Sequence, residues 1–443
     1  MDARKIVQKE FIAPFCKAGR KNIGVELEFP LLNLAKEPVD KNVAINLLEE
    51  MLTNGFKVAE YDADQNPAFI INADGDVLSF DNSYNNFEFS MEKCENLFEM
   101  SQRFYKLYED VQNYLLPLGY SLCGIGANPF HPNLTSLPVG FPVYSLIKKF
   151  LGSFSGGAYH KYTDFPAYLS SVQTHLDVPI DKLPKALTLF ADLDFVRALL
   201  FSNSPAFPDS EGFDETVCFR DYLWERSGFG SLRNNVGKVE GKFSTTKDIE
   251  NLILSRSMFY RVSGDKYELI PETTVAEYFL RTDAKEEDIN SYLSFQNVEI
   301  TRRGTLEVRS DCAQPVRDAF CAPAFNLGIL LAQDKARTLL DEFMQKSFPV
   351  EILNSDKRNK LLRDAVIYNY KLPADENATR TLLCDLISLA ESSLKLRNKG
   401  EEKLLSCLYE RAENLTCPAK EWKKALKFGT DYSDLIKKYA SAE

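Results

Sequence analysis

The sequence predicts an α+β fold: a mainly antiparallel β-sheet with one acidic face, surrounded by helices and followed by a helical C-terminal region. Three observations predict it. Short segments in which apolar and polar residues alternate recur as far as Arg309, stretches of helical length and periodicity lie between them, and from about Ala319 onward the pattern is almost wholly helical.

In chain order, Lys5–Phe15 reads as a short opening helix. NIGVELEFP at 22–30 alternates with period two, so Ile23, Val25, Leu27 and Phe29 share one strand face while Glu26 and Glu28 share the other. Asn42–Asn54 is helical, and Pro67–Ser79 is a hairpin turning at residues 73–76, ADGD. Phe87–Ser90 is a short strand; Cys94–Leu116 is a helix that stops before Pro117-Leu118-Gly119. Tyr120–Ala127 and Tyr168–Val178 read as strands, and Lys182–Phe201 as a helix. Val298–Arg309 is either a hairpin around Arg303-Gly304 or a strand with a bend. The expected division is a catalytic region over 1–335 and a helical region over 336–443 packed on it.

The 443 residues are 44% hydrophobic and 26% charged, which is globular rather than disordered composition. A net charge of −11 with no Lys/Arg run argues against a nucleic-acid partner, while leaving room for a basic pocket that takes small anions. None of the nine cysteines forms a CxxC pair, a pattern that suits free thiols in a reducing cytosol. The three histidines are too scattered for a zinc motif. The opening MDARKIVQKEFIAPF carries charges where a signal peptide has an apolar core, and no apolar run is long enough to span a bilayer. The expected location is cytoplasmic, with no membrane partner.

Four local patterns could carry chemistry. Glu26 and Glu28 lie roughly 7 Å apart along one strand face; like charges so placed need cations or water between them, although an isolated pair also fits a solvated strand face. In SFDNSYNNFEFSM at 79–91, Asp81 precedes Glu88, which sits between two phenylalanines. In GTLEVRSD at 304–311, Glu307 and Arg309 share a strand face, one carboxylate for a metal and one guanidinium for phosphate, or a simple ion pair. In SVQTHLDV at 171–178, Gln173, His175 and Asp177 form a polar row. GxxxxGK[ST], GxGxxG and GxSxG are all absent. An ATP-using enzyme of this sequence would therefore hold phosphates through metals and arginines on a sheet.

Taken together, these elements resemble the glutamate–cysteine ligase superfamily, whose fold is related to glutamine synthetase. GVELEF resembles the family's first acidic strand; Asp81 and Glu88 match a family aspartate and glutamate at the same spacing. SVQTHLDV resembles the plant-type V-Q-x-N-L-D strand, with His175 in place of asparagine. CFRDYLWERS resembles a segment carrying arginine and tryptophan, here Arg220 and Trp224, and TRRGTLEVRSDCAQP resembles the closing E-x-R strand. The similarity runs from about residue 20 to 335.

The resemblance implies a ligase that phosphorylates the glutamate side chain with ATP and lets the amino group of cysteine displace phosphate. It implies ATP with two to three Mg2+ ions, Mn2+ being an alternative. Glu26, Glu28, Asp81, Glu88 and Glu307 would be metal ligands. Gln173, His175 and Arg309 would face the nucleotide, Arg220, Trp224 and Arg233 would bind substrate, and Arg309 and Glu307 would act in catalysis. Partners would be glutamate, cysteine or another amine, and ATP, in a monomer or homodimer. A different amine acceptor would leave the metal wall unchanged. A glycosidase also needs two carboxylates about 5–10 Å apart, but neither Arg309 nor five acidic residues. A non-catalytic relative would have no reason to keep mutually repelling carboxylates.

Overall fold

The computed structural model describes residues 1–17, 23–131, 134–264 and 266–442. Its strands, in chain order, are β1 (Ile23–Asn33), β2 (Lys57–Tyr61), β3 (Pro67–Ile71), β4 (Val77–Phe80), β5 (Asn86–Cys94), β6 (Tyr120–Leu122), β7 (Ser171–Leu176), β8 (Val236–Gly237), β9 (Ser257–Ser263), β10 (Lys266–Thr274), β11 (Phe295–Gln296), β12 (Val298–Ile300) and β13 (Leu306–Cys312). Nine of them form one sheet in the order β12-β13-β7-β1-β5-β4-β3-β2, with β6 also paired to β1. Every pairing in this sheet is antiparallel. The fold is thus α+β with a mainly antiparallel sheet and a helical C-terminal region.

β1 lies inside the sheet because its alternation satisfies two surroundings at once. Ile23, Val25, Leu27 and Phe29 are buried in the main core. Phe29 packs against Phe89 of β5 and against Phe104 and Tyr108 of the helix Leu97–Leu115. The opposite face is left to Glu26 and Glu28. After Ser347 the chain is helical; its helices as far as Ser406–Asn414 share the sheet's core, which runs from Ile6 to Ala412, while Trp422, Leu435, Ile436 and Tyr439 of the last two pack against Leu32, Cys123, Ile125 and Phe130. The helices Cys321–Leu331 and Glu376–Lys395 come so close that a Cβ on Gly328 would lie 2.7 Å from the backbone of Ala390.

Four sequence expectations change. The helix expected from Cys94 starts at Leu97, because β5 extends to Cys94 and Asn96 caps the helix through its side chain. The strand expected over Tyr120–Ala127 stops at Leu122. Beyond it, Gly124 and Gly126 give their N–H groups to Tyr439 and Asn203 rather than to a ladder. The helix expected over Lys182–Phe201 is two helices, Leu183–Asp192 and Asp194–Phe201, broken at Leu193. The strand expected over Tyr168–Val178 is ordered as β only from Ser171 to Leu176. The hairpin alternative for Val298–Arg309 is the one adopted.

Candidate active site

The sheet register builds the site. Glu28 of β1 stands opposite Glu88 of β5, Glu26 opposite Gln173 of β7, and His175 opposite Glu307 of β13. Asp81 follows directly on β4, ahead of a tight connection in which Asn82 takes a left-handed φ of 60°. The result is two adjoining triads, Glu26–His175–Glu307 and Glu28–Asp81–Glu88. Within each, one donor atom per residue lies within 4.8 Å of the others.

These groups are held in place and poorly solvated. Glu28 is 5% exposed; it accepts from Ser171 N–H (2.8 Å), Ser171 Oγ (3.0 Å) and Gln173 Nε2 (2.8 Å). Ser90 Oγ donates to Glu88, and Tyr144 OH donates to Asp81 at 3.4 Å. His175 Nε2 sits 3.2 Å from Glu26 and 4.0 Å from Glu307 but makes no aligned hydrogen bond among the described residues, while Nδ1 is 3.2 Å from Thr305 Oγ1. Arg303, in the β12–β13 turn, reaches Glu26 at 3.1 Å.

Electrostatics separate the two triads. Burial pushes the Glu88 carboxyl well above the usual carboxylate range, and Glu26, Asp81 and Glu28 push it further. Burial and then Glu28 carry Asp81 up to about 7 against the pull of Arg309. Glu28 is raised by burial, opposed first by Arg220. For Glu26 burial acts in the same upward direction, but His175 and Arg303 together hold it down to about 2. Burial opposes charge on His175, yet Glu307 and Glu26 raise it overall. One triad is thus self-repelling and the other is compensated by an imidazole.

Two openings flank the carboxylates. A cleft of about 900 Å³ is lined in part by Gly24, Glu26, Ser90, His175, Arg303 and Thr305. Toward the other side, Arg220, Trp224, Phe295, Asn297 and Arg309 surround a small cavity. Trp224 stacks on Phe295 at 4.6 Å and 25°, and its buried Nε1 has no hydrogen-bond partner among the described residues. Arg220 is half-buried beside Glu28; among the described residues its guanidinium makes no hydrogen bond or ion pair. Arg309 donates to Glu307 at 3.0 Å and lies over the Phe295 ring. It sits where the β13–β7 register shifts between Val308 and Asp311, a bulge that changes the aim of its side chain.

The structure therefore brings Glu26, Glu28, Asp81, Glu88, Gln173, His175 and Glu307 together, with Arg220, Trp224 and Arg309 alongside. Arg233 stands apart. It is exposed, its N–H bonds to Ser257 and Glu272, and among the described residues no contact joins it to the acidic face. Sequence reasoning missed Arg303, Ser171, Tyr144 and Glu299. Glu299 was findable, because a hairpin centred on Arg303 places it opposite Glu307, as observed; it is held by the buried Arg256. Tyr144, on the helix Pro142–Gly152, carries no local signal.

The overall fold is shared with two solved structures. The chain matches the glutamate–cysteine ligase of Francisella tularensis in complex with AMP with a TM-score of 0.55 and 12% identity, over 95% of this chain and 88% of that one. It matches a bifunctional glutathione synthetase from Pasteurella multocida with a TM-score of 0.55 and 13% identity, over 99% of this chain but 54% of that one, so it spans about half of that protein. At these identities the likeness is one of fold. No protein-family model and no curated protein sequence matches the chain.

Proposed function

We propose that the protein is an ATP-dependent carboxylate–amine ligase that joins the glutamate γ-carboxylate to the amino group of cysteine, releasing ADP and phosphate. The observation that carries this reading is the pair of adjoining triads on one largely buried sheet face, with Arg220, whose guanidinium makes no hydrogen bond or ion pair among the described residues, and bulge-borne Arg309 beside them. The donor sets fit divalent cations. Three carboxylates converge in one triad, and in the other an imidazole nitrogen without an aligned hydrogen bond faces two carboxylates. Oxygen-rich clusters suit Mg2+, and the imidazole also admits Mn2+. When bound, such ions supply charge neutralisation to the phosphates during phosphoryl transfer.

The chain's own residues divide the remaining work. The cleft at Glu26, His175 and Arg303 is large enough for a nucleotide, and the F. tularensis ligase of similar fold is itself in complex with AMP. Arg309 stabilises the γ-phosphoryl group as it passes to the substrate carboxylate, a role in which a preorganised cation acts on developing charge. Arg220 takes a substrate carboxylate in a bidentate fork, with Trp224 as the apolar wall. The amine then attacks the acyl phosphate, its carbon–oxygen bond to phosphate breaks, and the amine proton leaves to solvent. Residues 1–335 would supply this machinery and 336–443 would brace it.

Product mass spectrometry tests the reading. The purified protein is incubated with ATP, Mg2+, glutamate and a panel of amines. γ-Glutamylcysteine with stoichiometric ADP is the expected product. A different γ-glutamyl amide would correct the acceptor, and ADP release independent of glutamate would overturn the proposal.

A further inference from the structure

We infer that Arg363, in the C-terminal helical region, is a positioning residue that sets the spacing between Arg220 and Arg309. This rests on the ligase reading above. Arg363 lies on the helix Arg358–Asn369 and its side chain is 1% exposed. Its Nε donates to Asp221 Oδ2 at 2.6 Å and its Nη2 to Asp221 Oδ1 at 3.2 Å, a two-point grip on the residue next to Arg220. Nη2 also donates to the carbonyl of Ser310, next to Arg309, at 3.3 Å. Nη1 donates to Asp194 O at 2.8 Å and Asp194 Oδ1 at 3.2 Å.

Each contact falls where the sheet itself gives no support. Arg220 sits on the seven-residue helix Phe219–Glu225, outside the ladder. Ser310 sits in the bulge, where the register with β7 is broken. Asp194 extends the brace: it accepts from Ser310 Oγ at 3.0 Å and from Asn297 Nδ2 at 2.7 Å, and Asn297 O accepts the N–H of Arg309 at 2.9 Å. One planar guanidinium therefore ties together the helix bearing the substrate-side arginine, the strand bearing the phosphate-side arginine, and the N-terminus of the helix Asp194–Phe201. Lysine would keep the positive charge near Asp221 and Asp194, but a single ammonium cannot span three partners in fixed planar geometry.

The test is Arg363→Lys in the full chain. Because misplacement by about 1 Å can cost on the order of 10²-fold, a loss of that order in kcat/KM for the amino-acid substrate is expected, with KM for ATP unchanged. Leu362→Ala, at a neighbouring buried position in the same helix, controls for stability: it should lower Tm and leave KM alone. Wild-type kinetics in Arg363→Lys, or the same kinetic defect in Leu362→Ala, would overturn the inference. Should Arg363→Lys fail to fold, Asp221→Asn keeps the shape and removes the charge that Arg363 grips alongside Lys238; it should show the same defect in kcat/KM, and unchanged kinetics would overturn the inference. If the wild-type chain itself forms no product, the ligase reading fails, and a separate readout still decides the point. Trp224 is one of two tryptophans in the chain. In a Trp422→Phe background its emission should shift on Arg363→Lys, and unchanged emission would overturn the brace.

Discussion

Replacing Glu88 with Gln should make the metal-free protein more stable while weakening its response to Mg2+, since only one of the two triads loses a ligand. The donor oxygens of Glu28, Asp81 and Glu88 lie within 4.8 Å of one another, so at an effective dielectric of about 20 each ionised pair repels by at least about 3.5 kcal/mol. Proton uptake limits that cost, because burial and the neighbouring carboxylates already raise Glu88 well above the usual range. Gln keeps the shape and the contact with Ser90 but needs no neutralising proton. A net gain of roughly 1–3 kcal/mol is expected near pH 8, shrinking toward pH 5, where the wild-type carboxyl is protonated at little cost. The assay is thermal melting in excess chelator and again in Mg2+. Wild type should gain stability from the cation through preferential binding to the folded state, and Glu88→Gln should gain less. A variant that melts at or below wild type in chelator, or that keeps the full Mg2+ response, would refute the charge argument.

Three further outcomes follow from the same geometry. In chelated wild type, Asp81 rises from the usual 3.8 to about 7, so between those values the folded state holds a proton that the unfolded state has lost; its contribution to stability falls as pH rises toward about 7, and Asp81→Asn should flatten that part of the denaturation profile. Arg220→Lys should raise KM for an amino-acid substrate and spare KM for ATP, since lysine cannot form the fork; a change confined to ATP would place Arg220 elsewhere in the reaction. Arg309→Ala should lower kcat by on the order of 10²-fold, whereas a purely structural ion pair with Glu307, 3.0 Å away, would lower Tm, couple in a double-mutant cycle and leave kcat intact.

Much of the acidic face was legible because β1 has only two environments to satisfy. Ile23, Val25, Leu27 and Phe29 announce the core side, which leaves Glu26 and Glu28 on the other. The sequence could not show which carboxylates meet across strands. That depends on register, and register sets Glu28 against Glu88 and His175 against Glu307. His175 read as one of a polar row with Gln173 and Asp177. The fold separates their surroundings, with Gln173 on Glu28 and His175 between Glu26 and Glu307. The bulge at Arg309 was invisible because nothing in LEVRSD marks it. Arg233 was carried by likeness in a segment with no periodicity, and local pattern gave no means of placing its side chain.

The two halves of the site owe their geometry to different parts of the chain. The carboxylates sit on β1, β5 and β13 or directly after β4, where antiparallel ladders fix backbone positions and aromatic packing behind β1 resists displacement. Repulsion among them can therefore persist in the folded state, because relieving it by movement would break ladder hydrogen bonds and open the core. The arginines have no such frame: Arg220 is on a short helix and Arg309 in a bulge. Their support comes through Asp221, Asp194 and Ser310, all gripped by Arg363 from beyond residue 336. Weakening that helix should thus leave the metal-responsive stability of the acidic face largely in place while loosening the arginine side. Melting with and without Mg2+ in Arg363→Lys, alongside its kinetics, separates the two. Loss of the Mg2+ response together with substrate affinity would mean that both halves share one frame and that this division of support is wrong.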